Sequence, residues 1–138
     1  MRVPQRLDYA LRALVALATL PPGSIRSGGA IATRLGLPSR FVEQQLTALV
    51  SYGIVRSTRG PGGGFSLARL AEDISMRDVV LALQGDVLDV PKMTGSAVSE
   101  AWQEATEALA ETLAEVSLTN LAARQRELDS ATATMYYI

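Results

Sequence analysis

Apolar residues recur at helical spacing through the first third of the chain and predict three consecutive helices, over residues 7–18, 27–35 and 39–52. Ser27 is positioned to cap the second helix, and Pro38 to begin the third. Helix-breaking residues follow each helix: Pro21-Pro22-Gly23, Gly36 and Gly53.

The second and third helices are joined by a short turn, Gly36-Leu37-Pro38-Ser39. Two helices joined by so short a glycine-containing turn are typical of the helix-turn-helix motif. On the third helix the apolar side chains share one side and the polar ones the other. The polar side consists of Arg40, Glu43, Gln44, Thr47 and Ser51. Any amphipathic helix with one side in solvent has such a face. Whether this face only meets solvent or binds DNA is therefore judged from the segment that follows it.

Two short segments, 54–57 and 65–68, have the character of strands, flank the glycine-dense segment 58–64 and predict a β-hairpin. The segment lacks the Lys-Ser/Thr pair of a phosphate-binding loop. It is either a flexible turn or, because it comes directly after a helix-turn-helix and carries Arg59, the wing of a winged helix. Arginine at a wing tip favours a narrow minor groove. The expected fold is mainly α with a small β-hairpin wing.

The second half of the chain has a different organisation. A short helix over 74–83, with Ser75 as its cap, ends at Gly85, and an irregular connector follows over 86–96. A long helix runs to about residue 116 and a short one from Ser117 to about Glu127, while Tyr136-Tyr137-Ile138 ends a tail without periodicity. The pattern thus predicts a winged helix-turn-helix domain (1–85), a connector (86–96) and a C-terminal region (97–138).

The long helix is strongly two-sided. This helix, over about residues 97–116, is the fifth predicted helix (α5), and its apolar stripe, named the α5 stripe, consists of Val98, Trp102, Ala105, Leu109, Leu113 and Val116. Its opposite side, the glutamate face, carries Glu100, Glu104, Glu107, Glu111 and Glu115. A stripe of this length is too long for the small preceding domain to cover, and monomers avoid exposing such patches. We therefore expect a homodimer in which two copies of this helix meet.

Composition narrows the function. The 138 residues include 48% hydrophobic and 20% charged side chains, without Cys or His. Disulfides, thiolate chemistry and the commonest metal ligands are thus excluded, and an enzyme is not expected. No run approaches the ~20 apolar residues of a membrane span, and no signal peptide is visible. The expectation is a cytoplasmic protein without contact to a membrane.

The net charge of −1 hides an asymmetry between the two halves. Residues 1–77 carry ten Arg against four acids, a net of +6, whereas residues 78–138 carry three basic residues against ten acids, a net of −7. Arginine suits bidentate contacts to phosphate and guanine. If the chain binds DNA, it does so through the first half.

Several stretches of the chain together form a recognisable pattern, of which the wing is the most specific: Tyr9-Ala10-Leu11-Arg12-Ala13-Leu14, Ile31-Ala32, Glu43-Gln44, Arg59-Gly60-Pro61-Gly62-Gly63-Gly64-Phe65-Ser66-Leu67-Ala68, Ile74-Ser75, Val79-Val80 and Leu83-Gln84-Gly85. In these stretches the chain resembles the Rrf-type family of winged-helix bacterial transcription regulators.

The resemblance implies a homodimer with its recognition helices in successive major grooves of double-stranded DNA. By position, the DNA contacts would come from Ser39, Arg40, Glu43 and Gln44 on the recognition helix and from Arg59, Gly60, Gly62, Gly63 and Gly64 on the wing. Arg40 departs from the small polar residue expected there, which puts the operator sequence in doubt. Many members hold an iron–sulfur cluster through three connector cysteines, and residues 86–96 contain none. Neither a cluster nor another cofactor or metal is expected.

Two functions remain open. The first is a transcription regulator, a repressor, that binds a palindromic operator as a homodimer. The second is a winged-helix module that docks a protein partner, since Glu43 suits a basic partner as well as cytosine. The apolar space near Trp102 suits either a small effector or ordinary core packing.

Overall fold

The computed structural model describes the backbone of residues 2–137 and the side chains of residues 2–135. Its elements are α1 (Gln5–Ala18), α2 (Gly28–Leu35), α3 (Ser39–Ser51), β1 (Val55–Thr58), β2 (Gly64–Leu67), a 3₁₀ turn (Ala71–Asp73), α4 (Met76–Gln84), α5 (Ala97–Ala114) and α6 (Leu118–Tyr137). The mainly α fold with a two-stranded wing is confirmed.

The first three helices form the helix-turn-helix as the spacing predicts. The Ser27 side chain accepts a hydrogen bond from the backbone N–H of Ala30 at 3.1 Å, which starts α2. Gly36 ends α2 with a φ of +66°, in the left-handed region that glycine tolerates best. The apolar face of α3 is fully buried at Val42, Leu46 and Leu49, so the orientation of this helix is fixed by the core.

The wing is an antiparallel hairpin in which Val55 pairs with Leu67 and Thr58 with Gly64. A third segment joins it. The Arg26 N–H donates to the Phe65 carbonyl at 3.0 Å, and the Phe65 N–H donates back to the Arg26 carbonyl at 2.7 Å. The sequence pattern did not indicate this bridge. It ties the root of the wing to the residue just before the cap of α2.

Helix α4 carries a capping box, in which the Ser75 hydroxyl accepts from the Asp78 N–H while the Asp78 carboxylate accepts from the Ser75 N–H. The same segment pairs with the junction between α5 and α6. The Met76 N–H donates to the Val116 carbonyl at 2.8 Å, and the Leu118 N–H donates to the Ile74 carbonyl at 2.9 Å. The long helix is thereby fixed to the winged helix at its C-terminal end.

The predicted short terminal helix is wrong in its length. Instead of ending near Glu127, α6 continues to Tyr137, while Ile138 lies outside the described residues. No Gly or Pro interrupts residues 118–137, and exposed side-chain pairs such as Gln125–Asp129 support the helix. The helix was missed because its later turns are exposed and therefore carry no apolar period.

The start of α6 completes the core of the winged helix. Leu118 is fully buried in the same cluster as Leu14 and Leu46, and Ala122 is buried one turn later. Arg126 donates to the carbonyls of Ala18 and Thr19 at 3.2 and 3.1 Å, where the C-terminal end of α1 leaves carbonyls without helical partners. The core thus draws on residues well beyond position 85.

Helix α5 differs from α1, α2, α3, α4 and α6, each of which has buried residues, because none of its own residues is buried. Over residues 2–137, none of the helices combines the length and the apolar character that a bilayer crossing requires.

Candidate DNA-binding surface

The recognition helix presents its N-terminal half to solvent. Ser39, Arg40, Glu43 and Gln44 are all exposed, on the side opposite the buried face of α3. These four side chains were expected to act together, and the fold places them on one surface at one end of the helix. This is the end that meets base edges in a helix-turn-helix.

An aromatic pair, which sequence reasoning did not single out, holds this end of α3 against α1. The rings of Tyr9 and Phe41 meet edge to face, with centroids 5.8 Å apart and an interplanar angle of 83°. Edge-to-face pairs stabilise by about 0.5–1.5 kcal/mol beyond the area they bury. The pair places Phe41 beside Arg40 on the rim of the surface and restricts how α3 can tilt.

Glu43 makes contacts within the helix-turn-helix itself. Its Oε1 accepts a hydrogen bond from the Ser39 hydroxyl at 3.4 Å. A Cβ added to Gly28 would collide with the Cγ of Glu43 and would lie 3.2 Å from its Oε1. Gly28 is therefore required by close packing, and the carboxylate lies beside the first turn of α2, where the helix dipole favours a negative charge. This contact accounts for Gly28 but not for Gly29, where an added Cβ would lie at an ordinary distance of 3.7 Å from the Ser39 hydroxyl.

The wing tip uses its glycines for two different reasons. Gly60 and Gly62 have φ values of +92° and +76°, which turn the chain. A Cβ on Gly63 would strike the Thr58 carbonyl, and one on Gly64 would strike the backbone of Arg26. The result is a tip with little side-chain bulk, on which Arg59 is the exposed cationic side chain.

The charges on this surface are not neutralised within the described part of the chain. Arg12, Arg34 and Arg69 approach the carboxylates of Asp8, Asp129 and Asp78, at 2.8, 4.0 and 4.0 Å respectively. Arg40, Arg56 and Arg59 have no acidic partner within 4.0 Å among residues 2–135, as is also true of Arg2, Arg6, Arg26, Arg77 and Arg126. The recognition helix and the wing therefore present three exposed guanidiniums without ion pairs, together with the exposed carboxylate of Glu43.

The α5 stripe lies on another part of the molecule and is open to solvent. Val98 is 67% exposed, Trp102 38% and Leu109 37%, whereas Leu113 and Val116 are half-buried near the core. An open apolar groove of about 430 Å³ runs along residues 97–105 between Val98, Trp102 and Ala105. The glutamate face is exposed along its whole length. The space near Trp102 is thus not core, and within one chain the described residues cover only the C-terminal end of the stripe, at Leu113 and Val116.

The match to known proteins covers most of the chain. Residues 3–124 match the family model of Rrf2, described as an iron-dependent transcriptional regulator. The residues present do not fit an iron site. The chain contains no Cys or His, and nowhere in residues 2–137 do three Asp or Glu side chains cluster as metal ligands would. The iron dependence in the family's description therefore has no matching set of side chains in this member.

Individual proteins agree with the family match. The HTH-type transcriptional regulator IscR of Xenorhabdus nematophila is 29% identical over 95% of this chain and 85% of its own length. The solved structure of CymR, the global cysteine regulator of B. subtilis, superposes with a TM-score of 0.81 at 26% identity, covering 90% of this chain and 98% of that one. IscR of T. potens gives a TM-score of 0.79 at 27% identity, covering 93% and 90%. The chain belongs to the Rrf2 family of transcriptional regulators.

Proposed function

We propose that this protein is a repressor that binds a palindromic DNA operator as a homodimer, without a metal or cluster. The observation that carries the proposal is the exposure of arginines on the two elements that contact DNA in a winged helix, the N-terminal half of α3 and the wing. These arginines, Arg40, Arg56 and Arg59, lack acidic partners among the described residues. Exposed arginines without acidic partners supply the phosphate contacts on which DNA affinity depends.

The side-chain chemistry of α3 supports direct readout of bases. The Gln44 amide matches the N6 and N7 positions of adenine, and the Arg40 guanidinium matches O6 and N7 of guanine. Both side chains are exposed at the N-terminal end of a helix whose other face is fully buried. The glycine-rich tip carries Arg59, an exposed side chain of the type that favours a narrow minor groove.

The α5 stripe supports the dimer. Ala97, Ala101 and Ala105 follow one another at four-residue spacing beside Trp102, so a second copy of α5 can approach closely and cover the indole. The glutamate face, being repelled by its own copy and by DNA, would point to solvent. A two-fold dimer presents two recognition helices, and the half-sites of its operator are expected about one helical turn apart.

Repression is the regulatory role that requires the fewest additional contacts. A dimer that occupies an operator overlapping a promoter excludes the polymerase without any further contact surface. Transcription in vitro from a promoter containing the selected operator tests this part. We expect the transcript to decrease as the protein is added, and an increase would show an activator instead.

Selection of bound duplexes from a random pool tests the core of the proposal. We expect a palindromic consensus, bound with an affinity that falls about 10³-fold or more between about 50 and 200 mM salt. Sedimentation should show a dimer at micromolar concentration. A pool that yields no consensus, or a protein that sediments as a monomer, would contradict the proposal.

A protein-docking module is the second candidate, and the exposed carboxylate of Glu43 is the observation that favours it. A basic protein partner could pair with Glu43, whereas a phosphate backbone repels it. The salt dependence separates the two functions, because only DNA binding releases the counterions condensed on a duplex. Duplex affinity that changes little with salt would favour the docking module.

A further inference from the structure

Arg40 and Glu43 stand three positions apart on α3, a spacing at which oppositely charged side chains of a helix are neighbours. Both side chains are exposed, so burial does not keep them apart. They nevertheless form no ion pair, since no carboxylate oxygen among residues 2–135 comes within 4.0 Å of the Arg40 guanidinium. The absence of this pair indicates that the Glu43 carboxylate is held elsewhere.

Gly28 provides the space in which Glu43 is held. It is buried as the first residue of α2, and a Cβ built on it would collide with the Cγ of Glu43 and lie 3.2 Å from its Cδ and Oε1. The Glu43 side chain thus occupies the space that the missing Cβ leaves open. It is the presence of glycine at this position that allows the carboxylate to lie against α2.

Ser39 holds the same carboxylate from within α3. Its hydroxyl donates to the Oε1 of Glu43 at 3.4 Å. Ser39 and Arg40 stand four and three positions before Glu43, and at about 100° per residue they lie on opposite sides of it around the helix. A carboxylate held at Ser39 is therefore turned away from Arg40.

The two helix backbones are fixed by the core, so they cannot separate to admit a side chain at position 28. Val42 and Leu46 of α3 are fully buried, and Ile31 and Ala32 of α2 are buried as well. Shifting either helix would open the core. A larger residue at position 28 is therefore accommodated by rotation of Glu43. Because the collision is with its Cγ, the rotation displaces the carboxylate along with the stem.

We propose that Gly28 is a positioning residue, which keeps Glu43 away from Arg40 and so leaves the Arg40 guanidinium free for DNA. With Ala at position 28, the Glu43 carboxylate leaves α2, pairs with Arg40 and neutralises it. The part of this inference that concerns the operator rests on the proposed DNA binding, whereas the position of Glu43 does not.

NMR of the free protein tests the position of Glu43, through the exchange of the Arg40 Nε–H with water. We expect this exchange to slow about twofold or more in Gly28→Ala, because a guanidinium N–H bound to a carboxylate is protected. Gly28→Ala with Glu43→Gln should exchange at the unmodified rate, since the amide carries no charge. Gly29→Ala is the matched control, because its Cβ would lie at an ordinary 3.7 Å from the Ser39 Oγ.

Operator binding tests the consequence, with the duplex selected from the random pool. Gly28→Ala should lower the affinity about threefold or more and make its salt dependence less steep by about one unit of slope, because one cation is neutralised. Gly29→Ala should bind as the unmodified protein does. In the Glu43→Gln background, Gly28→Ala should cause no further loss, which distinguishes a paired charge from a general distortion of α2.

Unchanged exchange of the Arg40 N–H in Gly28→Ala would overturn the proposal, as would an equal loss of affinity in the Glu43→Gln background. A Gly28→Ala protein that does not fold would also overturn it, because the collision would then move the backbones instead of the side chain. Slowed exchange with unchanged operator affinity would overturn the part that concerns DNA. If the unmodified protein selects no duplex, the proposed function fails, and the exchange rates alone decide whether Gly28 positions Glu43.

Discussion

Helices α1 and α5 carry comparable apolar stripes, yet their burial is opposite. The 14 residues of α1 include six that are buried, among them Leu14 and Leu17, whereas the 18 residues of α5 include none. Both patterns are amphipathic, so the difference lies in what each stripe faces. A hydrophobic stripe predicts that a surface will be covered, but it does not say which chain provides the cover.

The same two regions differ in charge. The winged helix exposes arginines on α3 and on the wing, and α5 exposes five glutamates opposite its stripe. A DNA duplex attracts the first region and repels the second. If the proposed function is correct, each region has one partner: the winged helix binds DNA, and α5 binds a second copy of the chain. A substitution on the DNA-binding surface should therefore leave the dimer intact, whereas a substitution that separates the dimer should weaken operator binding as well.

The largest effect is expected from Leu109→Glu in the α5 stripe. Two buried carboxylates at the proposed two-fold interface should separate the dimer, and with it the second half-site, so operator affinity should fall about 100-fold or more. The helical content and melting of the monomer should change little, because Leu109 is 37% exposed in one chain. Sedimentation measures the loss of the dimer, and fluorescence anisotropy measures the loss of operator affinity.

The control for this variant is Glu107→Gln on the glutamate face, which should leave both the dimer and operator binding intact. A Leu109→Glu protein that remains dimeric, or a monomeric one that still binds the operator tightly, would contradict the arrangement.

Leu118→Ala tests the opposite case to Leu109→Glu. Leu118 also belongs to the C-terminal region, but it is fully buried in the winged-helix core. The cavity should lower the free energy of unfolding by about 2–5 kcal/mol. Leu128→Ala, on the same helix with 44% exposure, should cost much less. Urea unfolding of both variants measures the contrast, and equal losses would show that α6 does not pack as described.

Gln44→Ala and Arg40→Ala probe the exposed end of α3. Each lost base contact should weaken operator binding by about 1–3 kcal/mol and relax the preference at particular base pairs. Repeating the duplex selection with each variant measures the preference. Gln45→Ala, one position along the helix and half-buried, is the matched control. An unchanged consensus in both variants would place base readout elsewhere.

Arg59→Ala should have a smaller and less selective effect. The side chain is exposed at the wing tip, so its removal should lower the affinity for all duplexes similarly, without changing the melting temperature of the protein. The slope of log affinity against log salt concentration should become less steep by about one unit. Arg124→Ala, which removes an exposed arginine paired with Glu127 on α6, serves as the control. Operator affinity that is the same with and without Arg59 would remove the wing tip from the site.

No effect at all is expected from iron. Chelator treatment or preparation without oxygen should leave operator affinity unchanged, because the connector between the two regions has neither Cys nor His. Elemental analysis should find no stoichiometric iron. One iron or more per chain would show that carboxylates or a partner protein supply ligands.

The winged-helix half was predictable because its signals are local. Ser27, Gly36, Ser75 and Gly85 act on the turns in which they stand, so the bounds of α2 and α4 follow within one or two residues from the sequence. The polar end of α3 was likewise predictable, since burial of Val42 and Leu46 fixes the opposite side. Their roles on DNA remain predictions.

The features that the sequence did not predict depend on contacts between distant segments. The bridge from Arg26 to Phe65, the packing of Glu43 on Gly28 and the pair of Tyr9 with Phe41 each join residues that no short-range pattern relates. The length of α6 was missed for the opposite reason, because its exposed turns rely on helix propensity and local side-chain pairs, which leave no apolar period.

The contact between α1 and α6 also constrains how the chain reaches its fold during synthesis. Arg126 meets the end of α1 across a separation of 108 residues, and Leu118 enters a core that α1 and α3 begin. Until residues up to about 126 have left the ribosome, the nascent winged helix has an apolar face without its cover. Closing so long a loop is slow relative to helix formation. We expect the nascent chain to be most prone to aggregation and proteolysis in this interval, and a fragment of residues 1–85 to remain in that state.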